Sequence, residues 1–283
     1  MVQEAIKKAD VLIEALPYIK KFHKKVFVVK YGGSILSEER VRKCVLEDIA
    51  FLRFAGIRPI IVHGGGPNIT ERLRQYKVAA KFVNGMRVTD EFTLKVVAEE
   101  LDKLNDLISS EIAEHGVKAI GFKHKDSILK AVKKENEIDL GFVGDVSGFN
   151  NEALQRSLEE GVPVICPMGT SDEGEKFNIN ADDVAFFMAS ALKAEKLVLL
   201  TNVLGVMRNP KDEHSLISTI TVEGVQELID DKIIEEGMVP KVKAAANAIR
   251  SGVGKAHIVD AKIPHALLLE IFTDQGVSTE IIK

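Results

Sequence analysis

The chain has 283 residues, 46% hydrophobic and 28% charged, with a formal net charge of −4 at pH 7. That balance belongs to a folded globular protein with a substantial core and excludes a disordered chain. Lysines are spread along the sequence, so the basic face of a nucleic-acid binder is not expected and a small-molecule partner is.

Residues 3–22 read as an amphipathic helix with Ala5, Ala9, Leu12, Ile13, Leu16 and Ile19 on one face. The helix precedes the first core strand, which leaves two placements open: against another subunit or on its own domain. This segment lacks the continuous apolar stretch of a signal peptide, and no run approaches about 18 apolar residues. A cytoplasmic protein without a membrane span is therefore expected.

Strands are predicted at 25–31, 58–64, 118–124, 162–168, 196–202 and 255–261, each a continuous apolar or β-branched run without a polar face. Between them lie helix-length segments such as 37–56, where Val41, Val45, Ile49 and Leu52 keep helical spacing. This alternation predicts an α/β fold, a three-layer α/β/α sandwich around a mainly parallel open sheet. Residues 127–134 and 138–146 read as hairpin strands that wall a pocket. No linker, low-complexity tract or internal repeat interrupts the chain, so one domain over 1–283 is expected, with a shallow division near residue 190. Cys44 and Cys166 sit in apolar sequence with no histidine at metal-ligand spacing and are read as buried, reduced thiols, with no resident metal.

Two glycine turns follow the first two strands, "KYGGS" at 30–34 and "HGGGP" at 63–67. In a parallel sheet both turns fall at the edge where strand C-termini converge, and ligands bind there. Glycine lets backbone N–H groups approach a ligand, and a following helix N-terminus favours an anion such as phosphate. Lys30, a cation at the end of an apolar strand, strengthens that reading. The P-loop, the dinucleotide fingerprint, the protein-kinase catalytic loop and the hydrolase nucleophile elbow are all missing, which excludes those enzyme classes.

Six segments in order, "VVKYGGS", "IIVHGGGP", "NGMRVTD" (84–90), "NINADD" (178–183), "EGMVPKVKAA" (236–245) and "HALLLEIFTDQGVST" (265–279), carry a closer likeness. Across essentially its whole length the chain resembles the N-acetylglutamate kinases of the amino acid kinase family, and residues 12–22 resemble the extra helix of the arginine-inhibited, hexameric members. The resemblance implies the amino acid kinase fold, with an acceptor-substrate lobe at 25–190 and a nucleotide and regulatory lobe at 191–283. It implies transfer of the γ-phosphoryl of ATP, carried with Mg2+, to the side-chain carboxylate of N-acetyl-L-glutamate. In that reaction Lys30 and Lys241 would stabilise the transferring phosphoryl while Asp182 holds both lysines. Gly32, Gly33, Gly65 and Gly66 would give close backbone contacts to phosphoryl and carboxylate oxygens, Arg87 would pair with the α-carboxylate, and Asn180 would hydrogen-bond the substrate. Thr201, Asn202 and Gly205 would line the nucleotide site. Lys196, His257, Glu270 and Gly276 would bind L-arginine as an inhibitor, and residues 3–22 would assemble a homo-hexamer, a trimer of dimers.

The chain departs from the family pattern at Asp102 and His124, where glycines are expected, at Asn202, expected as aspartate, and at Ala261 and Ser278, expected as glycines. Asp102 and His124 bear on the substrate pocket, Asn202 on the nucleotide and Ser278 on arginine control. Two other readings stay open: a family member with another acceptor, such as carrier-linked aminoadipate, glutamate or carbamate, and a catalytically silent arginine-responsive subunit. Retention of Lys30, Lys241 and Asp182 argues against the last.

Overall fold

The computed structural model describes residues 2–209, 211–234, 237–273 and 276–283; Glu236, Asp274 and Gln275, which belong to the quoted segments, lie outside them. The chain begins with α1 (Val2–Phe22), β1 (Val26–Tyr31), α2 (Gly33–Leu36), α3 (Glu39–Phe54), β2 (Arg58–His63) and α4 (Gly66–Gln75). A short hairpin, β3 (Phe82–Val83) and β4 (Met86–Arg87), leads to α5 (Glu91–Glu114) and β5 (Ala119–Phe122). Next come β6 (Leu129–Lys133), β7 (Val143–Phe149), α6 (Asn151–Glu160), β8 (Val162–Ile165), β9 (Met168–Thr170), β10 (Lys176–Ile179) and α7 (Ala181–Ala191). The C-terminal part holds β11 (Lys196–Thr201), β12 (Thr219–Thr221), α8 (Gly224–Asp230), α9 (Val239–Arg250), β13 (Lys255–Asp260), α10 (Ala266–Phe272) and β14 (Thr279–Ile282).

The central sheet has the order β12-β14-β13-β11-β1-β2-β8-β5 and is parallel except between β13 and β14. Side chains of alternate residues point to opposite faces, and both faces are covered, which is why these strands are apolar throughout. On one face Val28, Ile60, Val62, Leu197 and Leu199 meet α7 and α9; on the other Phe27, Val29, Ile61, Val198 and Leu200 meet α3 and α10. From β1 the chain fills the sheet outward to β2 on one side and, much later, to β11 on the other. The reversal of strand order thus lies at β1, where a parallel sheet opens a crevice at its C-terminal edge. The two glycine turns share that edge, tied by the Gly64 N–H donating to the Tyr31 carbonyl at 2.9 Å.

Three local outcomes differ from the sequence reading. The strand expected over 138–146 begins only at Val143, because Gly141 turns the backbone at φ +71°, where an added Cβ would lie 2.2 Å from the Thr89 carbonyl oxygen. The run 162–168 divides: β8 ends at Ile165, and β9 starts at Met168 in a different sheet, a closed ring of β10, β7, β6 and β9. Cys166 is buried as expected, but Cys44 is only partly buried and lies 3.7 Å from His265 Nδ1, a histidine 221 positions away.

α1 divides its two expected placements. Its last turns pack on the domain, with Phe22 buried and edge-on to Phe27 at 5.3 Å. Leu12 and Ile13 are each more than 60% exposed and Leu16 on the same face is exposed too, so the middle of α1 presents an uncovered apolar stripe. No helix among the described residues is long and apolar enough to cross a membrane.

His63 closes β2 in full burial. Its Nδ1–H donates to the Gly64 carbonyl at 3.1 Å, and Nε2 accepts from Asn105 Nδ2 at 3.2 Å, which fixes a neutral tautomer. Burial pulls its pKa from 6.5 down to about 4. The unfolded chain therefore takes up this proton before the folded one. The stability contributed by the neutral ring is full above about pH 6.5 and is lost as pH falls toward 4, on the order of 3 kcal/mol. The urea midpoint is expected to fall between about pH 7 and pH 5, and to fall less in His63→Gln. Comparing the two proteins isolates this ring, because Asp48 and His265 titrate in both; equal slopes would refute the assignment.

Candidate active site

Lys30 sits one residue before the end of β1, and Asp182 in the first turn of α7, which crosses beneath it. Lys30 Nζ lies 2.8 Å from Asp182 Oδ1, and Lys241 Nζ, from the first turn of α9, lies 3.7 Å from Oδ2. One carboxylate thus holds two ammonium groups at the C-terminal edge of the sheet. Lys30 and Asp182 are largely sheltered, with side chains 13% and 18% exposed, so their fields are weakly screened.

Beside this trio opens a cavity of about 350 Å3. Lys30, Gly65, Gly66, Arg87 and Asn180 all line it. α4 starts at Gly66 with its first N–H groups free of intrahelical partners and its positive end toward the cavity. The two glycines serve different ends. A Cβ on Gly65 would meet Leu101 Cδ2 at 2.7 Å, so space demands glycine there; at Gly66 nothing lies within 4 Å, so that residue simply leaves the cavity open. Gly32, the residue before α2, is confined by the Leu200 carbonyl at 3.2 Å and Lys30 Nζ at 3.5 Å from an added Cβ, and Gly33 begins that helix.

Arg87 is buried rather than an exposed loop cation. Nη2 donates to the Gly66 carbonyl at 3.0 Å and Thr70 Oγ1 at 2.8 Å, and the guanidinium lies 4.7 Å from the Phe82 ring centre. Nη1 is buried with no partner. Burial lowers the guanidinium pKa and so disfavours its charge, a cost that an incoming anion would offset. Asn180 uses its side-chain oxygen to cap α7 through Asp182 N at 2.8 Å, leaving its amide donors to serve a ligand. Lys134, Asn178 and Asp183 also line the cavity and were not singled out from sequence. Lys134 pairs with Asp145 across the β6–β7 ladder, a juxtaposition that no local motif announces.

The family model for the amino acid kinase family matches residues 25–260. The chain belongs to the amino acid kinase family. Acetylglutamate kinase from Carboxydothermus hydrogenoformans is 46% identical over 289 residues, covering 98% of either chain. N-acetylglutamate synthase from Neisseria gonorrhoeae, solved with coenzyme A and N-acetyl-glutamate, superposes with a TM-score of 0.87 at 25% identity over 97% of this chain, which spans 63% of that synthase. Carbamate kinase from Giardia lamblia bound to AMP-PNP, at 16% identity, shares the fold with a TM-score of 0.67 over 92% of this chain and 99% of its own.

In this kinase an apolar cavity of about 230 Å3 lies past the end of β11, between Gly205, Val206, Met207, Ile234 and Met238. Of the three nucleotide residues expected from the resemblance, Gly205 lines it. Thr201 instead ties its hydroxyl to the Val203 carbonyl at 2.9 Å, and Asn202 is exposed. The apolar neighbours of Gly205 read in sequence as ordinary core, so nothing distinguished them.

Lys196, His257, Glu270 and Gly276 line a single larger cavity of about 800 Å3, whose far wall is Tyr18 and Phe22 of α1. His257 Nε2 accepts from Lys196 Nζ at 2.8 Å and Nδ1–H donates to Glu270 Oε1 at 2.7 Å, so the imidazole is neutral. Desolvation is the main cause of the lowered pKa of His257 and of Lys196, the latter falling to about 8. For Glu270 burial acts upward but is outweighed by His257, Ser278 and Lys196, and the net shift is down. An added Cβ on Gly276 would come within 2.6 Å of Glu270 Oε2.

The departures from the family pattern also find their places. Asp102 Oδ1 accepts the His124 N–H at 2.9 Å, and Oδ2 meets His124 Nδ1 at 2.6 Å, so these two changes contact each other. Neither lines the cavity at Lys30. Ala261 is buried in the core, whereas Ser278 faces the cavity of Glu270.

Proposed function

We propose that the protein transfers the γ-phosphoryl of ATP to the side-chain carboxylate of N-acetyl-L-glutamate. The observation that carries this reading is the unpartnered Arg87 Nη1, buried in the wall of a cavity that also reaches Lys30. Such a donor calls for an anionic acceptor, and with Nη2 committed to Gly66 and Thr70, Arg87 would offer Nη1 to the α-carboxylate of the acceptor. Asn180 and the backbone at Gly65 and Gly66 would hold the remainder. The acceptor carboxylate is already an anion, so no general base is required; the demand is to align two anionic reactants and spread their charge. Lys30 and Lys241, spaced by Asp182, meet that demand from two sides, with Gly32 and Gly33 close to the phosphoryl oxygens. The apolar cavity at Gly205 suits the adenine base. Asp182 stands between two ammonium groups, so Mg2+ would be held by the phosphates of ATP, where it neutralises charge.

We place L-arginine as an inhibitor in the cavity of Lys196, His257, Glu270 and Gly276, with Glu270 as partner for its guanidinium or amino group. The uncovered stripe of α1 supports a homo-oligomer, a hexamer on the family pattern; an unchanged number of subunits by light scattering after removal of residues 2–22 would exclude that role.

The test is ADP release with Mg-ATP and N-acetyl-L-glutamate, beside L-glutamate and a sample containing L-arginine. Turnover confined to the acetylated acceptor is the expected result. Turnover with another acceptor, or none, would overturn the substrate, and unchanged turnover with arginine would remove the inhibitor. Arg87→Ala is expected to raise KM for the acceptor about 10- to 100-fold while kcat stays within about threefold.

A further inference from the structure

Cys44 and Asp48 stand four residues apart on α3, so their side chains leave one face of the helix. Opposite them, the residue before α10 is His265. Its Nδ1 lies 2.7 Å from Asp48 Oδ1 and 3.7 Å from Cys44 Sγ, and its backbone N–H donates to the same sulfur at 3.2 Å. The three donor atoms all fall within 4.8 Å of one another. We propose that Cys44, Asp48 and His265 bind a single Zn2+ ion, with a fourth coordination position left to water.

The donor set selects the metal. One thiolate, one imidazole and one carboxylate suit Zn2+, whereas Mg2+ and Ca2+ favour oxygen donors throughout. Tetrahedral Zn–S and Zn–N bonds place sulfur and nitrogen about 3.6 Å apart, close to the spacing found, while nitrogen and oxygen would need to open from hydrogen-bonding distance to about 3.4 Å. The half-exposed His265 side chain and the partly buried Cys44 give an ion a route in, and Asp48, only 1% exposed, anchors the floor. His265 adopts a left-handed backbone at φ +56° without being glycine. That conformation, shared by five other non-glycine residues among those described, holds the imidazole over α3. On binding, the Cys44 thiol gives up its proton to solvent, and the neutral His265 ring carries its one proton on Nε2, so that Sγ and Nδ1 are both free to ligate the metal.

The experiment uses the full chain, stripped by chelator and free of nucleotide, titrated with Co2+ and then Zn2+. One equivalent of Co2+ is expected to give a sulfur-to-cobalt charge-transfer band in the near ultraviolet, which Zn2+ bleaches. Cys44→Ser is expected to lose the band and Cys166→Ala to keep it. His265→Gly fits the left-handed backbone while a ligand is removed, and, in protein whose fold is verified by circular dichroism, Zn2+ affinity in chelator competition is expected to fall at least about tenfold. A wild-type protein without the band, a band that survives in Cys44→Ser, or an unchanged Zn2+ affinity in His265→Gly would each overturn the site.

Discussion

Lys30→Met is expected to lower kcat by about 10²- to 10³-fold, equivalent to about 3–4 kcal/mol, with KM for both substrates within about threefold. The size of the effect follows from where the charge stands. Lys30 Nζ is held 2.8 Å from Asp182 in a sheltered position, so it needs little reorganisation to meet charge that develops on the transferring phosphoryl. Methionine keeps most of the apolar stem and removes the ammonium, leaving Asp182 with Lys241 alone. Steady-state kinetics with each substrate varied separates the possibilities. A rise in KM at constant kcat would make Lys30 a ground-state binding group and remove it from the phosphoryl-transfer step.

Glu111→Ala is expected to destabilise the fold by about 3–5 kcal/mol, read as a lower urea midpoint. Arg42 on α3 donates from Nε and Nη2 to the two Glu111 oxygens at 2.7 and 2.8 Å, and from Nη1 to the Leu36 carbonyl at 2.7 Å. Both residues are buried, so the pair fastens α3 to α5 in a setting that water cannot rescue. Removing the carboxylate strands a buried guanidinium. The double variant Arg42→Met/Glu111→Leu removes both charges and is expected to recover most of the loss, because an apolar pair has no desolvation cost. A Glu111→Ala midpoint equal to the wild type would show that the pair contributes nothing.

Neither Arg42 nor Glu111 stood out in the sequence, where each is one charged residue on a mixed helix. They lie 69 positions apart, and no local pattern couples them. The same holds for Cys44 and His265, and for the wall that Tyr18 and Phe22 lend to the cavity of Glu270. Arg87 could be picked out only through its motif; that it is buried, stacked on Phe82 and left with a free Nη1 depends on α4 and the β3–β4 hairpin folding over it. Conversely, Thr201 and Asn202 stand at the end of a predicted core strand and were expected at the nucleotide through the resemblance, yet the apolar cavity there belongs to Gly205 and its neighbours.

What the sequence by itself determined is the parallel α/β order and the sheet edge that the two glycine turns share. Strands covered on both faces must be apolar along their length, and a strand that hands over to a helix at a ligand needs glycine and a helix N-terminus. These are local requirements, written residue by residue. The tertiary structure decided which side chains meet: Asp182 between two lysines, His257 between Lys196 and Glu270, Asp102 against His124, Cys44 beside His265. Such contacts are made at distances of a few ångströms between segments far apart in the chain, and only packing of the layers brings them within that range.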